Sequence, residues 1–505
     1  MNFSQQARTL VDELMARPWG QVSASVYETG RLVTLAPWLA GHGERVAFLL
    51  AQQRDDGSWG APDGYGLVPT LSATEALLSA GERDPALVPA ARSGLRALRH
   101  LFQQKPDLPD TPAIDLIVPA LVEQINAHGH GEPLAAPGMD TTRLDRVKRL
   151  LSSGQEPPQK VLHVLEVAGT DAARAGDVRP APLGTVGASP AATATWLAGF
   201  ASADAARTDP ADTALTDSAA AARHHLETVA ARSGGPVPVG LPITVFERGW
   251  VLSWLVRAGV PVRVPAEMIA DLRTAIRPQG TPAGAGLPAD ADTTSVALYA
   301  LALLGVPCDP SSLMMFDTGA HFCTWQGEDG VSVSVNAHVL DALGQYVRAR
   351  PPAEAAYGPV MARVAGWLAA KQRADGSWED RWHASPFYAT LSCVLALGEF
   401  GGPRHTGSVH RAREWVLATQ RDDGSWGRWA GGPEETAYAM QILLLSGPDS
   451  DERCLKAAWR GYEFLREAPL SDYAPLWHDK DLYSPTAIVR AAILAALYVA
   501  KSSKG

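Results

Sequence analysis

Stretches of small apolar residues alternate with more polar stretches along almost the whole chain. "TLSATEALLSAG" from Thr70, "YATLSCVLALGEF" from Tyr388 and "TAYAMQILLLSG" from Thr436 are apolar on nearly every helical face. The same holds for "TATWLAGFA" from Thr193, "DTTSVALYALALLG" from Asp292, "NAHVLDALGQY" from Asn336 and "TAIVRAAILAALYVA" from Thr486. A helix with no polar face must be buried all round. More polar helices such as "RAREWVLATQ" from Arg411 supply an outer layer. The pattern predicts an all-α fold built as double-ringed helical toroids, with two helices per repeat. Alternating β-branched runs are nearly absent, which argues against a sheet protein.

A short segment punctuates these helices. "QRDDGSWG" occurs at Gln53 to Gly60 and again at Gln420 to Gly427, with "QRADGSWE" at Gln372 to Glu379. Gln372 and Gln420 are 48 residues apart, room for two helices and two turns. In each copy the Gln falls near the end of an outer helix, where the last carbonyls lack partners. The Gly permits a left-handed turn, and the Trp packs its ring across the junction. Trp59, Trp378 and Trp426 are therefore expected to be structural.

Composition narrows the picture. At 505 residues, 46% hydrophobic and 19% charged, the chain can bury large cores. A net charge of −10 and the lack of a basic run argue against nucleic acid. The four cysteines (Cys308, Cys323, Cys393 and Cys454) show no metal-ligand or disulfide spacing. The first residues form a mixed-charge amphipathic pattern without an apolar signal core, and no run reaches membrane-spanning length. A cytoplasmic protein without a transmembrane segment is expected.

Several segments together resemble the class II terpene cyclases, including the diterpene cyclases and the squalene-hopene cyclases with their QW motifs. "SVYETGR" from Ser25 is similar to SAYDTAW, departing at its last residues, and "IDLIVPALVE" from Ile114 to FExxFPxLLE. "LHVLE" from Leu162 resembles LHSLE, "VFERGW" from Val245 resembles LFEHIW, and "WHDKDLY" from Trp477 resembles WIGKxLY. "DADTT" (Asp290 to Thr294) resembles the DxDD acid motif in the DxDTT form of drimenyl diphosphate synthases. The resemblance implies a βγ pair of α-barrels: residues 1–29 as an N-terminal part of β, 30–235 as an inserted γ barrel, and 236–505 as the rest of β. The Pro/Gly-rich "RSGGPVPVGLP" from Arg232 marks the crossing, and "AGTDAARAGDVRPAP" from Ala168 reads as a long loop.

An alkene is a very poor base, so its proton must come from a carboxylic acid shielded from water. Burial and like charge both help a carboxyl to keep its proton. By resemblance Asp292 is the donor and Asp290 its partner, with Thr293 in place of the motif's last Asp. The same letters also fit a plain helix cap, since Asp and Thr favour that position. Relatives hold the acid with a Thr and an Asn four residues apart, which places Ser332 and Asn336 in that role. Trp325, Trp382, Phe387, Tyr388 and Trp477 are candidate cation-stabilising aromatics.

The remaining roles also come from the resemblance. His163 falls on the terminating base, although its Asn partner position falls near Val239. Arg248 and Lys480 would grip a diphosphate, and Glu166, Asp115, Asp107 and Asp110 are the carboxylates expected to serve Mg²⁺. The substrate would be an isoprenyl diphosphate that keeps its diphosphate, because no DDxxD cluster for ionisation is present. The DxDTT form points to farnesyl diphosphate and a drimenyl product. A geranylgeranyl substrate with a copalyl-type product is the alternative, and a non-enzymatic toroid that binds ligands is the alternative of another class. Triterpene cyclisation would need a longer chain, and protein prenylation would need a zinc set that the cysteines do not offer.

Overall fold

The structure is a computed structural model. It describes residues 2–503 apart from 105–106, 137, 139, 155, 172–177, 205–212, 329, 448–450 and 470–473, so part of the loop expected from Ala168 lies outside the described residues. Among the described residues, six helices pack in a closed circuit: Thr244–Arg257, Ala291–Leu303, Val333–Ala349, Pro386–Phe400, Pro433–Leu445 and Thr486–Ser502. Outside them pack Ala266–Ala275, Glu354–Ala370, Thr406–Ala418, Glu452–Glu467 and the N-terminal helix Phe3–Ala16. Phe3, Ala7, Leu10, Val11 and Leu14 belong to the same core as residues from Trp250 to Ala500.

A second, smaller circuit is formed by Val26–Leu35, Leu67–Gly81, Ile114–Ala127, the 3₁₀ segment Gln159–Ala168 and Pro190–Asp204. Its outer layer is His42–Ala51, Val88–Gln104, Thr142–Ser152 and Thr213–Arg232. The all-α expectation holds, with two-residue strand pairs as the exceptions. One joins Thr281–Pro282 to Ala289–Asp290, and the other joins Trp477–His478 to Leu482–Tyr483. No helix among the described residues is long and apolar enough to cross a membrane.

The repeated segment builds the same joint three times. The indole Nε1–H of Trp59, Trp378 and Trp426 donates to Leu49, Leu368 and Val416 in the outer helix just ended, at 2.7–2.8 Å. Each Trp backbone N–H donates to a Thr hydroxyl (Thr70, Thr390 or Thr436) on the next inner helix. The Gln amide donates forward, to the turn Gly carbonyl and to the following outer helix; for Gln420 these acceptors are Gly424 and Ala457, at 2.9 and 2.8 Å. The expected parts are present with two roles exchanged. The Trp caps the orphan carbonyl, and the Gln ties the turn to the next repeat. Gly57, Gly376 and Gly424 have φ of 86–97°, as the left-handed turn demands.

Candidate active site

The helix Ala291–Leu303 starts from the short strand pair, and that junction sets the acidic motif. Asp290 is its N-cap: Oδ1 accepts the Thr293 N–H at 2.6 Å and Oδ2 accepts the Ala283 N–H at 3.1 Å. Cap and acid are therefore both present, on different residues. Asp290 is buried, and burial pushes its carboxyl up to about 8, with the Asp292 charge adding to the shift against the two backbone donors. Asp292, in the first helical turn, reaches the neighbouring inner helix, where its Oδ1 lies 2.6 Å from His338 Nδ1. Its side chain retains 14% exposure, against 10% for the imidazole. Burial alone would lower the His338 pKa, but the charge of Asp292 and the hydrogen bond to it outweigh that and raise it.

The expected pair Ser332 and Asn336 does not hold the acid. The helix starts at Val333, so Ser332 is its N-cap and its hydroxyl donates to Asp380 at 2.8 Å. Asn336 is turned to the preceding loop, accepting the Phe322 N–H and donating to the Phe322 carbonyl. His338, missed in the sequence, is the side chain that meets Asp292. Its only signal was a His on a largely apolar inner helix, one turn before Asp341.

Aromatic rings surround the pair. Trp250 lies edge-on to His338 at 5.5 Å, and its Nε1–H donates to Tyr388 Oη at 3.1 Å. Tyr388 packs 4.9 Å from Trp477 and stacks on His383 at 4.5 Å. Beneath them, the buried Glu434 Oε1 accepts from Trp477 Nε1 and Tyr438 Oη, both at 2.9 Å. Tyr388 and Trp477 thus join the acid's surroundings as expected. Trp325 and Trp382 form their own T-shaped pair at 5.2 Å beside the 324–328 loop. Phe387 packs on Trp415 of an outer helix at 4.6 Å, away from this cluster, because Pro386–Phe400 carries it on its outward side.

His383 also lines a cavity of about 520 Å³. Asp107, Asp110, Asp63, Arg381 and Arg428 face it. Arg381 reaches Asp110 at 3.2 Å and Arg428 reaches Asp63 at 3.2 Å, so opposite charges from the two barrels meet across it.

The other expected site residues lie elsewhere. Lys480 is fully buried: its Nζ donates to Glu28 Oε1, Glu166 Oε1 and Ser189 Oγ, each at 2.7 Å. Tyr27 Oη also donates to Glu166. His163 lies 2.6 Å from the Gly187 carbonyl and 2.7 Å from Asp479, so both of its ring nitrogens are engaged. These segments interlock the two barrels: Lys480 is fully engaged, Glu166 keeps Oε2 without a partner, and the His163 side chain is 14% exposed. Arg248 points to the outer layer, where it pairs with Asp271 at 2.8 Å. Asp115 pairs with Arg143 at 2.9 Å. Among the described residues no three His, Cys, Asp or Glu side chains are grouped to hold a metal.

A toroid of helices that sets a carboxyl pair beside aromatic rings, one of the two buried, offers what a cyclase needs to begin by protonating an alkene. Comparison with known proteins agrees. Residues 326–467 match the squalene-hopene cyclase C-terminal domain. The chain is 45% identical to the ent-copalyl diphosphate synthase of Streptomyces sp. (strain KO-3988), over 97% of this chain and 95% of that one. It is 41% identical to the copalyl diphosphate synthase of Streptomyces cyslabdanicus, over 98% and 95%. The solved ent-copalyl diphosphate synthase from Streptomyces platensis superposes with a TM-score of 0.92 at 41% identity, covering 99% of this chain and 100% of that one. The chain belongs to the class II terpene cyclases and is an enzyme, which retires the reading of a toroid that only binds.

Proposed function

We propose that the enzyme cyclises geranylgeranyl diphosphate to a copalyl-type bicyclic diphosphate and leaves the diphosphate intact. The observation that carries the chain length is its similarity, from end to end, to copalyl diphosphate synthases. On that ground the farnesyl and drimenyl expectation, which rested on the DxDTT letters alone, gives way.

Asp292 is the acid in this reading. Its O–H bond breaks as a C–H bond forms on the terminal alkene, and the His338 hydrogen bond stabilises the carboxylate left behind. Asp290, held neutral by its burial, keeps a second negative charge out of the site. The faces of Trp250, Tyr388 and Trp477 stabilise the migrating cation by about 0.5–2 kcal/mol each. A C–H proton is finally lost from the bicycle, closing the balance.

The diphosphate end occupies the cavity between the barrels, with Arg381 and Arg428 supplying positive charge. Mg²⁺ keeps several waters and needs only one or two carboxylates beside phosphate oxygens. Asp107 and Asp110, on the cavity wall, fit that requirement, Asp110 beside Arg381, whereas Glu166 and Asp115 do not line the cavity. When bound, the ion would neutralise diphosphate charge. In this scheme the larger barrel is the catalytic unit and the smaller barrel closes the cavity, with the helix Val26–Leu35, inside which the expected boundary at 29/30 falls, packed in the smaller one.

Separate incubations with geranylgeranyl and farnesyl diphosphate, followed by phosphatase and mass spectrometry, test the reading. A bicyclic C20 alcohol is expected. Preferential turnover of the farnesyl substrate would overturn the chain length.

A further inference from the structure

Glu434 stands at the start of the inner helix Pro433–Leu445 and is 1% exposed. Its Oε1 accepts three hydrogen bonds, from Trp477 Nε1 and Tyr438 Oη at 2.9 Å and from His383 Nε2 at 3.1 Å. Three donors on one oxygen fit the ionised carboxylate. His383 is not its counter-ion. The Ser385 N–H donates to His383 Nδ1 at 3.0 Å, so that nitrogen carries no proton and the imidazole is neutral. No Lys or Arg among the described residues pairs with Glu434, and its buried Oε2 accepts from no protein group.

A buried charge ordinarily has a partner of opposite sign. This one has rings instead. All three of its donors belong to rings that pack on Tyr388: His383 at 4.5 Å, Trp477 at 4.9 Å and Tyr438 at 5.6 Å. Tyr388 accepts from Trp250, which lies edge-on to His338, the partner of Asp292. The aromatic cluster thus links the anion to the acid pair. Hydrogen bonds in a low-dielectric interior polarise the groups that make them. A ring that gives its N–H or O–H to an anion gains electron density, and its face then attracts a cation more strongly.

We propose that Glu434 is the fixed counter-charge for the carbocation, acting through the rings of Trp477, His383 and Tyr438, and that the substrate supplies its missing cation. The inference rests on the cyclisation proposed for this site. Glu434 touches no reacting atom and is a positioning residue. A preorganised charge of this kind favours the cation over the neutral substrate. It also leaves the folded protein with an unpaired buried anion, which costs stability.

The test uses two geranylgeranyl-length diphosphates, one with a tertiary ammonium where the bicyclic cation rests and one with carbon there. The parent should bind the ammonium compound at least about tenfold more tightly in calorimetry. Equal binding overturns the proposal. Glu434→Gln should lower that preference at least about fivefold, while its affinity for the neutral compound stays within about twofold. It should melt at or above the parent's temperature. Its kcat should fall at least about tenfold with KM within about twofold. Equal loss of both affinities with a lower melting temperature would make Glu434 a structural brace and overturn the proposal, as would an unchanged preference. Glu434→Met carries the same comparison if Glu434→Gln does not fold. A farnesyl-length pair separates the readings: an ammonium preference in that pair alone overturns the chain length and supports the counter-charge. If the parent cyclises neither diphosphate, the proposed function fails, and its binding of the two compounds still decides this one.

Discussion

Each barrel buries a carboxylate in its inner ring, and the two have opposite fates. In the smaller barrel Glu75 is 3% exposed and pairs with Arg31, with Thr34 and His128 also donating to it. Burial pushes its carboxyl up, but Arg31 and the two other partners outweigh that and hold it down at about 2. In the larger barrel Asp290 is equally buried, and burial, with no guanidinium to offset it and the Asp292 carboxyl beside it, pushes it up to about 8 against its backbone donors. The same burial locks one group as an anion and keeps the other neutral. What decides is the partner: a guanidinium makes a brace, and a second carboxyl makes an acid site.

The largest break in this contrast should come from Asp292→Asn, which keeps the shape and removes the proton. Cyclisation should fall by about 10³-fold while the melting temperature barely moves. Comparable product formation by the variant would mean that the larger barrel's pair is not the acid. Next comes the brace: Arg31→Met leaves Glu75 as a buried charge without its guanidinium, which should cost about 3–5 kcal/mol in chemical denaturation.

A smaller effect sharpens the comparison through pH. The folded pKa of Asp290 lies above its unfolded value of about 3.9, so its contribution to stability is full below that value and is lost as pH rises toward about 8. Glu75 behaves in the opposite sense, its contribution being present above about 4.3 and lost as pH falls toward about 2. Melting curves of the parent and of Asp290→Asn should therefore diverge between about pH 4 and 8, and parallel curves would refute the assignment.

Periodicity alone disclosed the helical rings and the three Trp joints, because a helix apolar on all faces has few places to go. The motif "DADTT" marks the helix start at which Asp290 and Asp292 stand and where Asp292 meets His338. What failed was helix phase. Counting four residues from Ser332 assumed that it lies within the helix, whereas the chain turns there and the helix opens at Val333. His338 then faces Asp292 while Asn336 faces the 322 loop. Lys480, Glu166 and His163 match the motifs, and the structure pairs them with protein groups at the seam between the barrels. A charged residue that interlocks two barrels looks, in sequence, the same as one that grips a substrate. Only burial and partners separate them.

The junction around Lys480 also bears on how the chain is made. Its ammonium satisfies Glu28, near one end of the sequence, and Glu166, far from both. A ribosome delivers Glu28 and Glu166 long before it delivers residue 480. Until then the smaller ring carries two carboxylates whose cation has not been synthesised, so its interior is completed by a segment that emerges long after the ring itself.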